Sequence, residues 1–412
     1  MDRKKQVAVF LGGRSPEHDV SVVTGLQVLA AVDRSLYEPF PVYVAPDGTF
    51  WVGDALRQRE NYLPDAATRK QLGLQQVTLD VTQLGRGVLN AVGHCGWFSR
   101  TPEPVTFDIA LLAFHGITGE DGNFQGMLEV AGIPYTGMRT MASAVLMDKA
   151  LTKTVLAESG VPTLPAVLVR RPEQGLLLEP EDLAFLSEKL TFPSIVKPNH
   201  LGSSIGVAKV NSMDELEAVL PSIFKIDDAV IIEPFVANLV EYNVAVNRFG
   251  GAVQTSAIER PKCADELLDF KQKYLSGGGK DGGLKQGGIK TAGTAGGSEG
   301  MLSLTRELNP TLPKGLEQDL RQWATTCFEL IGGTGSPRID FLGNSKTGEY
   351  WLNEVNPCPG SFGYFLWEAA ANPLLFTELL NHLLDEAKAQ QRRRRLPADP
   401  TPPEARLFKR RF

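Results

Sequence analysis

Two stretches near the end of the chain constrain its architecture more than any others. They are Pro337-Arg-Ile-Asp-Phe341 and Glu349-Tyr-Trp-Leu-Asn-Glu-Val-Asn356, the second running into Pro357-Cys-Pro-Gly360. Side chains alternate along an extended chain, so Arg338 and Asp340 share one face of the first stretch, and Glu354 and Asn356 share one face of the second. The turn-like Gly343-Asn-Ser-Lys-Thr-Gly348 between them predicts an antiparallel hairpin that brings the two faces together. Two carboxylates, an amide oxygen and a guanidinium then converge. Such oxygens suit Mg²⁺ bridging nucleotide phosphates, and the guanidinium suits a developing oxyanion. A cross-strand salt bridge on a solvated sheet face would have the same pattern.

The remainder of the chain weighs between these. Its 412 residues, 42% hydrophobic, suffice for two or three domains. A net charge of −6 gives no general reason to expect nucleic acid. Positive charge is concentrated after Lys388, where nine basic residues face two acidic ones, and this tail is expected to be disordered. Cys95, Cys263, Cys327 and Cys358 are scattered without zinc spacing, which fits a reduced, cytoplasmic protein. No apolar run approaches the ~20 residues that span a bilayer, so no membrane partner is expected.

Gln6-Val-Ala-Val-Phe-Leu11 reads as a buried strand, closed by Gly12-Gly13 and followed by a helix through Leu29 that Asp19 or Ser21 could cap. Residues 50 to 105 show little periodicity and read as short elements and loops. Phe107 to Phe114 is a second buried strand, and Glu17 and His115 both fall just past strand C-termini, where open α/β sheets place ligands. Ala142 to Ser159 reads as one helix with Lys149 and Lys153 on one face. A strand carrying Lys197 and a loop with Ser203 and Ser204 offer an ammonium and hydroxyl or amide donors to phosphate. Glu233 and Glu241 bracket a loop suited to a nucleotide's base amine and ribose hydroxyls. Residues 276–300 contain eleven glycines and read as a lid or an insertion. Helices are expected near Leu316 to Leu330 and Phe376 to Lys388.

Taken in order, these stretches resemble the D-alanine–D-alanine ligases. The resemblance is carried by Gly12-Gly-Arg-Ser-Pro-Glu-His-Asp-Val-Ser21, His115-Gly-Ile-Thr-Gly-Glu-Asp-Gly122, Gly202-Ser-Ser-Ile-Gly206, Asp269-Phe-Lys-Gln-Lys-Tyr274, Arg338-Ile-Asp-Phe341 and Asn353-Glu-Val-Asn356 with Gly360. It spans roughly residues 5 to 385. It implies an α/β (α+β) fold, the three-domain ATP-grasp ligase, with an N-terminal open α/β domain and two domains enclosing ATP. The expected domains are 1–140, 141–236 and 237–387. The activity implied is an ATP-dependent carboxylate–amine ligation through an acyl phosphate, with small amino-acid-like substrates and a homodimer as the candidate assembly. Lys149, Lys197, Ser203, Ser204 and Lys273 would bind ATP phosphates, and Glu233 and Glu241 its adenosine. Asp340, Glu354 and Asn356 would hold two Mg²⁺, with Mn²⁺ as the alternative ion. Arg338 and the Gly360 amide would stabilise the oxyanion. Glu17 would meet the first substrate's ammonium in a triad with Ser203 and Tyr274, and His115 would lie by its carboxylate.

One departure bears on substrate. Five residues after the Pro-Gly pair the family carries a serine that binds the second substrate's carboxylate; this chain carries Phe365, which cannot donate a hydrogen bond. A different amine substrate is therefore an open alternative. So is a non-catalytic nucleotide-binding regulator, against which the oxyanion arginine argues.

Overall fold

A computed structural model describes residues 3–62, 65–93, 102–261, 306–394 and 401–406. The first sheet is built on β1 (Lys5–Gly12), whose apolar run is buried on both faces: Val7, Val9 and Leu11 enter one core and Ala8 and Phe10 another. Around it lie β2 (Tyr37–Val44), β3 (Phe50–Val52), β4 (Gln75–Leu79), β5 (Gly87–Ala91), β6 (Val105–Phe107) and β7 (Ile109–Leu112), in the order β6-β5-β4-β3-β2-β1-β7. The β2-β1-β7 centre is parallel, whereas β3 to β6 extend it antiparallel. Much of the stretch that reads as loops is thus a meander of three- and five-residue strands, too short to show a period.

Helix α1 (His18–Ala31) follows β1. Its N-cap is Glu17, not Asp19 or Ser21. The Ser21 hydroxyl serves the sheet instead, accepting from the Gly12 amide and donating to the Ala113 carbonyl, both at 2.8 Å. The short α2 (Ala66–Gln71) and α3 (Asn123–Val130) complete this layer.

The expected helix from Ala142 to Ser159 is two helices, α4 (Thr140–Met147) and α5 (Lys149–Leu156). Between them Asp148 is extended and its carboxylate accepts from the Leu151 amide at 2.8 Å, an N-cap that starts a new helix. The second sheet is wholly antiparallel, formed by β8 (Val167–Arg170), β9 (Ser194–Pro198), β10 (Ala208–Val210) and β11 (Ala229–Pro234) in the order β10-β9-β11-β8. Helices α6 (Pro180–Lys189) and α7 (Met213–Ile223) accompany it, and its core is drawn from residues 167 to 232 alone.

The third sheet is also antiparallel: β12 (Leu239–Phe249), β13 (Ala252–Pro261), β14 (Arg306–Leu308), β15 (Arg338–Asn344) and β16 (Glu349–Asn356), ordered β14-β13-β12-β15-β16. The helix Leu316–Leu330 packs on it as its amphipathic pattern predicts. The last helix runs from Phe376 to Arg394, six residues beyond the expected end. Its basic end is not free: Arg394 pairs with Glu129 at 2.9 Å and Gln391 donates to the Gly132 carbonyl at 3.0 Å, both on the first domain. Tertiary partners order a run whose composition alone suggests a solvated tail. The Gly-rich residues 276–300 lie outside the described residues. Among the described residues no helix is long and apolar enough to cross a membrane.

Candidate active site

The β15–β16 hairpin forms with the predicted facing. Arg338 lies opposite Asn356 and Asp340 opposite Glu354, and a bulge follows at Asp340/Phe341. The Arg338 guanidinium grips Asp340 as a fork, Nε to Oδ1 at 2.6 Å and Nη2 to Oδ2 at 2.7 Å, while Asn356 Nδ2 donates to Oδ2 at 2.9 Å. Burial pushes the Asp340 carboxyl up to about 6; Arg338 opposes this, and Glu354 and Glu241 add to it. Hard oxygen donors crowded on one face, with negative charge accumulating as they ionise, fit a divalent cation, which Asp340, Glu354 and Asn356 would hold.

Residues from the central sheet meet this face at its β16 edge. Capped by Asp148, α5 aims Lys149 inward, where its Nζ donates to the Leu201 carbonyl at 2.7 Å and lies 3.6 Å from Glu354 Oε2. Lys197 on β9 donates to Asn353 Oδ1 at 2.9 Å and pairs with Glu233 at 2.7 Å. Glu233, 3% exposed, is also 2.6 Å from Lys153, one helical turn after Lys149. Burial alone would raise the Glu233 pKa, but the two ammonium groups hold it below its ordinary value. The Lys153 ammonium is pushed down by burial, against the pull of Glu233. Glu241 lies on β12 opposite Leu342 of β15.

The first domain closes the other side. Ser203 and Ser204 both have left-handed backbones, φ 55° and 58°, and the Ser203 hydroxyl donates to the Glu17 carboxylate. Burial raises the Glu17 pKa, the Ser203 bond opposes it, and Glu354 and Lys149 act in opposite directions. Beside it Gly116, at φ 76°, has no room for a side chain: a Cβ would sit 2.7 Å from Glu17 Oε2. His115 is buried and pushed down to about 4, so its imidazole is neutral, and its Nε2 shares a hydrogen bond with Thr24 at 2.9 Å. The Thr24 hydroxyl accepts from the Ser361 amide at 3.2 Å, and Glu120 accepts from the Cys358 amide at 2.9 Å. These two contacts pin the segment around Gly360 onto the first domain. An added Cβ at Gly360 meets nothing within 4 Å, so the backbone there is open to a ligand. Tyr274 and Lys273 lie outside the described residues.

Three domains therefore converge on one cluster of Lys149, Lys197, Glu17, Ser203, Arg338, Asp340, Glu354 and Asn356. Family models for the D-ala D-ala ligase N-terminus and C-terminus match residues 6–138 and residues 155–284 and 303–385. The chain belongs to the D-alanine–D-alanine ligase family. A D-alanine–D-alanine ligase of Thermosipho africanus is 31% identical over 383 residues, covering 92% of each chain. One from Chlorobium limicola is 32% identical over 394 residues, covering 93% of this chain and 97% of its own. The fold is shared with the D-alanine-D-alanine ligase from Coxiella burnetii (TM-score 0.71, 22% identity, 95% of each chain covered). It is also shared with the VanG D-Ala:D-Ser ligase from Enterococcus faecalis (TM-score 0.69, 22% identity, 93% of this chain and all of that one). As a D-alanine–D-alanine ligase family member, the protein is an ATP-grasp enzyme that forms a peptide-type bond at the expense of ATP, with a divalent metal.

Two residues beside the cluster have no role assigned from the sequence. Lys153 is visible only through its spacing from Lys149. Glu120 lies within the His115–Gly122 run, and burial, aided by Glu17, pushes it up to about 8.

Proposed function

We propose that the protein joins a D-alanine-like amino acid to a second amino acid, using ATP and two Mg²⁺, for which Mn²⁺ could substitute. The reading rests chiefly on the Arg338–Asp340–Glu354–Asn356 face meeting Lys149 and the Glu17–Ser203 pair. The first substrate's ammonium sits at Glu17, whose ionised form Ser203 and Lys149 favour, and its carboxylate lies between His115 and Arg338. His115, neutral and held by Thr24 through its Nε2, lines that place without itself carrying charge. Asp340, Glu354 and Asn356 would hold the metal ions, which would supply neutralisation of the negative charge at phosphoryl transfer. Lys149 and Lys197 hold the phosphates in line, the serine loop covers them, and Glu233 and Glu241 orient the adenosine. A carboxylate oxygen takes the γ-phosphoryl group and ADP departs. The second substrate's amine then attacks the carbonyl carbon, and the oxyanion is met by Arg338 and the Gly360 amide. Collapse releases phosphate, and the amine loses its proton. Tyr274 and Lys273 keep their proposed places in the triad and at the phosphates.

Phe365 favours a second amino acid other than D-alanine, since it supplies no donor for the carboxylate. The test is incubation of purified protein with ATP, Mg²⁺ and a panel of D- and L-amino acids, with ADP release and product mass as readouts. A dipeptide mass and stoichiometric ADP are expected. ATP binding without turnover on any pair would point to a nucleotide-binding regulator instead.

A further inference from the structure

The register of the third sheet sets a row of side chains on one face. Glu354 lies opposite Asp340, Asp340 opposite Asn243, Asn243 opposite Glu259 and Glu259 opposite Leu308. Residues directly opposite share a face, and so does the residue two positions along. Arg306, two before Leu308, therefore stands on the metal-binding face, at the edge away from Lys149 and Lys197. Its guanidinium is fixed on two sides. Nη1 pairs with Glu259 at 3.1 Å, and the carbon centre lies 4.1 Å from the centroid of the Phe365 ring. Glu259 is 3% exposed and accepts a further bond from Asn243 at 3.1 Å, so it is itself held.

The remaining edge is the informative one. Arg306 Nε is buried and has no hydrogen-bond partner among the described residues. In a guanidinium Nε and Nη2 form one planar fork, the fork Arg338 places on the Asp340 carboxylate. At Arg306 the Nε of that fork has no acceptor among the described residues, and an N–H left so costs free energy that a bound carboxylate would restore. The ring that stacks on it belongs to the segment beginning at Gly360. That segment touches Thr24, the neighbour of His115.

We propose that Arg306 binds the carboxylate of the second amino acid, with Phe365 and Glu259 setting its orientation. The assignment rests on the ligase reading above and deepens it. Phe365 is then not a lost donor but the platform for a different one, and the acceptor site selects free amino acids over neutral amines.

The test uses the full chain with ATP and Mg²⁺ and acceptors offered in pairs, each D-amino acid beside its carboxamide, which keeps the amine and loses the charge. Hydroxylamine in excess replaces the acceptor in a parallel assay and traps the acyl phosphate as a hydroxamate, reporting the first half-reaction alone. Wild type is expected to prefer each acid over its amide. Arg306→Gln should lower kcat/KM for the acids by about ten- to hundredfold through KM, leaving the amides and the hydroxamate yield unchanged. Arg306→Lys keeps the charge beside Glu259 but not the fork, so it guards against a folding defect and should also lose the preference. An unchanged acid-to-amide ratio in Arg306→Lys, with normal hydroxamate yield, overturns the assignment. If wild type yields no hydroxamate from any amino acid, the ligase reading falls and this assignment with it.

Discussion

Glu233 shows what a residue-level reading of the sequence reaches and what it misses. Its place at the end of a buried apolar strand marks it as unusual, since carboxylates are rarely fully buried unless paired. Its partners are invisible there: Lys153 lies 80 residues earlier and Lys197 on the neighbouring strand, and only the fold brings both ammonium groups within 2.7 Å. Removing one leaves a buried carboxylate half-compensated. Lys153→Met should therefore lower stability by about 3 kcal/mol and raise the KM for ATP more than it lowers kcat. Denaturant unfolding with initial-rate kinetics checks this, and a shift within about 0.5 kcal/mol would show the pair to be dispensable. Asp340 makes the opposite case, because its partners Arg338 and Glu354 sit at strand spacings that the sequence displays. Asp340→Asn is isosteric and retains an oxygen for one Arg338 N–H. It is expected to fold as wild type does and to lose at least about a thousandfold in turnover if the carboxylate holds a metal between phosphates. Near-native turnover would remove Asp340 from the metal site.

At the scale of elements, the hairpin was legible because a period of two runs through all seven residues of β15 and holds in β16 from Glu354 to Asn356, although the bulge at Asn353 interrupts it before that. The break between α4 and α5 was not, because Asp148 sits in a continuous helical pattern and reveals itself as a cap only through its bond to Leu151. That break is braced from outside. His200, just before the serine loop, meets Asp227 at 2.8 Å, and Asp148 and Asp228 each at 3.5 Å. The Asp227 hydrogen bond raises the His200 pKa above its ordinary value, although burial opposes it. A raised folded-state pKa means stability that is fully present below about pH 6.5, the unfolded value, and is lost as pH rises through the folded value. Thermal unfolding of wild type and His200→Gln should differ most near pH 6, by about 1 kcal/mol, and converge by about pH 9. A difference independent of pH would mean that packing, not the imidazolium, braces the element.

For the whole molecule, the sequence divides the chain into three domains, whereas the packing couples the outer two. One continuous core takes in Val7, Val9 and Leu11 of β1, Ile109 and Leu111 of β7, Ala245 of β12, and Phe362, Leu366, Trp367 and Leu379 to Leu384 of the C-terminal segment. Trp367 is central to it: 2% exposed, edge-on to Phe249 at 5.1 Å, with its indole N–H bonded to Ser336 at 2.8 Å. The central sheet keeps its own core from residues 167 to 232. Sequence periodicity shows which side chains of an element are buried, but not which distant element covers them, so this coupling could not be read from it. A catalytic centre assembled from three domains needs two of them fixed in register, and the shared core provides that while the central sheet keeps a core of its own. Trp367→Ala should cost about 3–5 kcal/mol by opening a cavity and stranding the Ser336 hydroxyl. In native-state hydrogen exchange, amides of β1, β7 and β12 should lose protection together, while those of β9 and β11 keep theirs. Equal loss across all three sheets would instead make the molecule a single cooperative unit, with no independently folded grasp domain to close over the nucleotide.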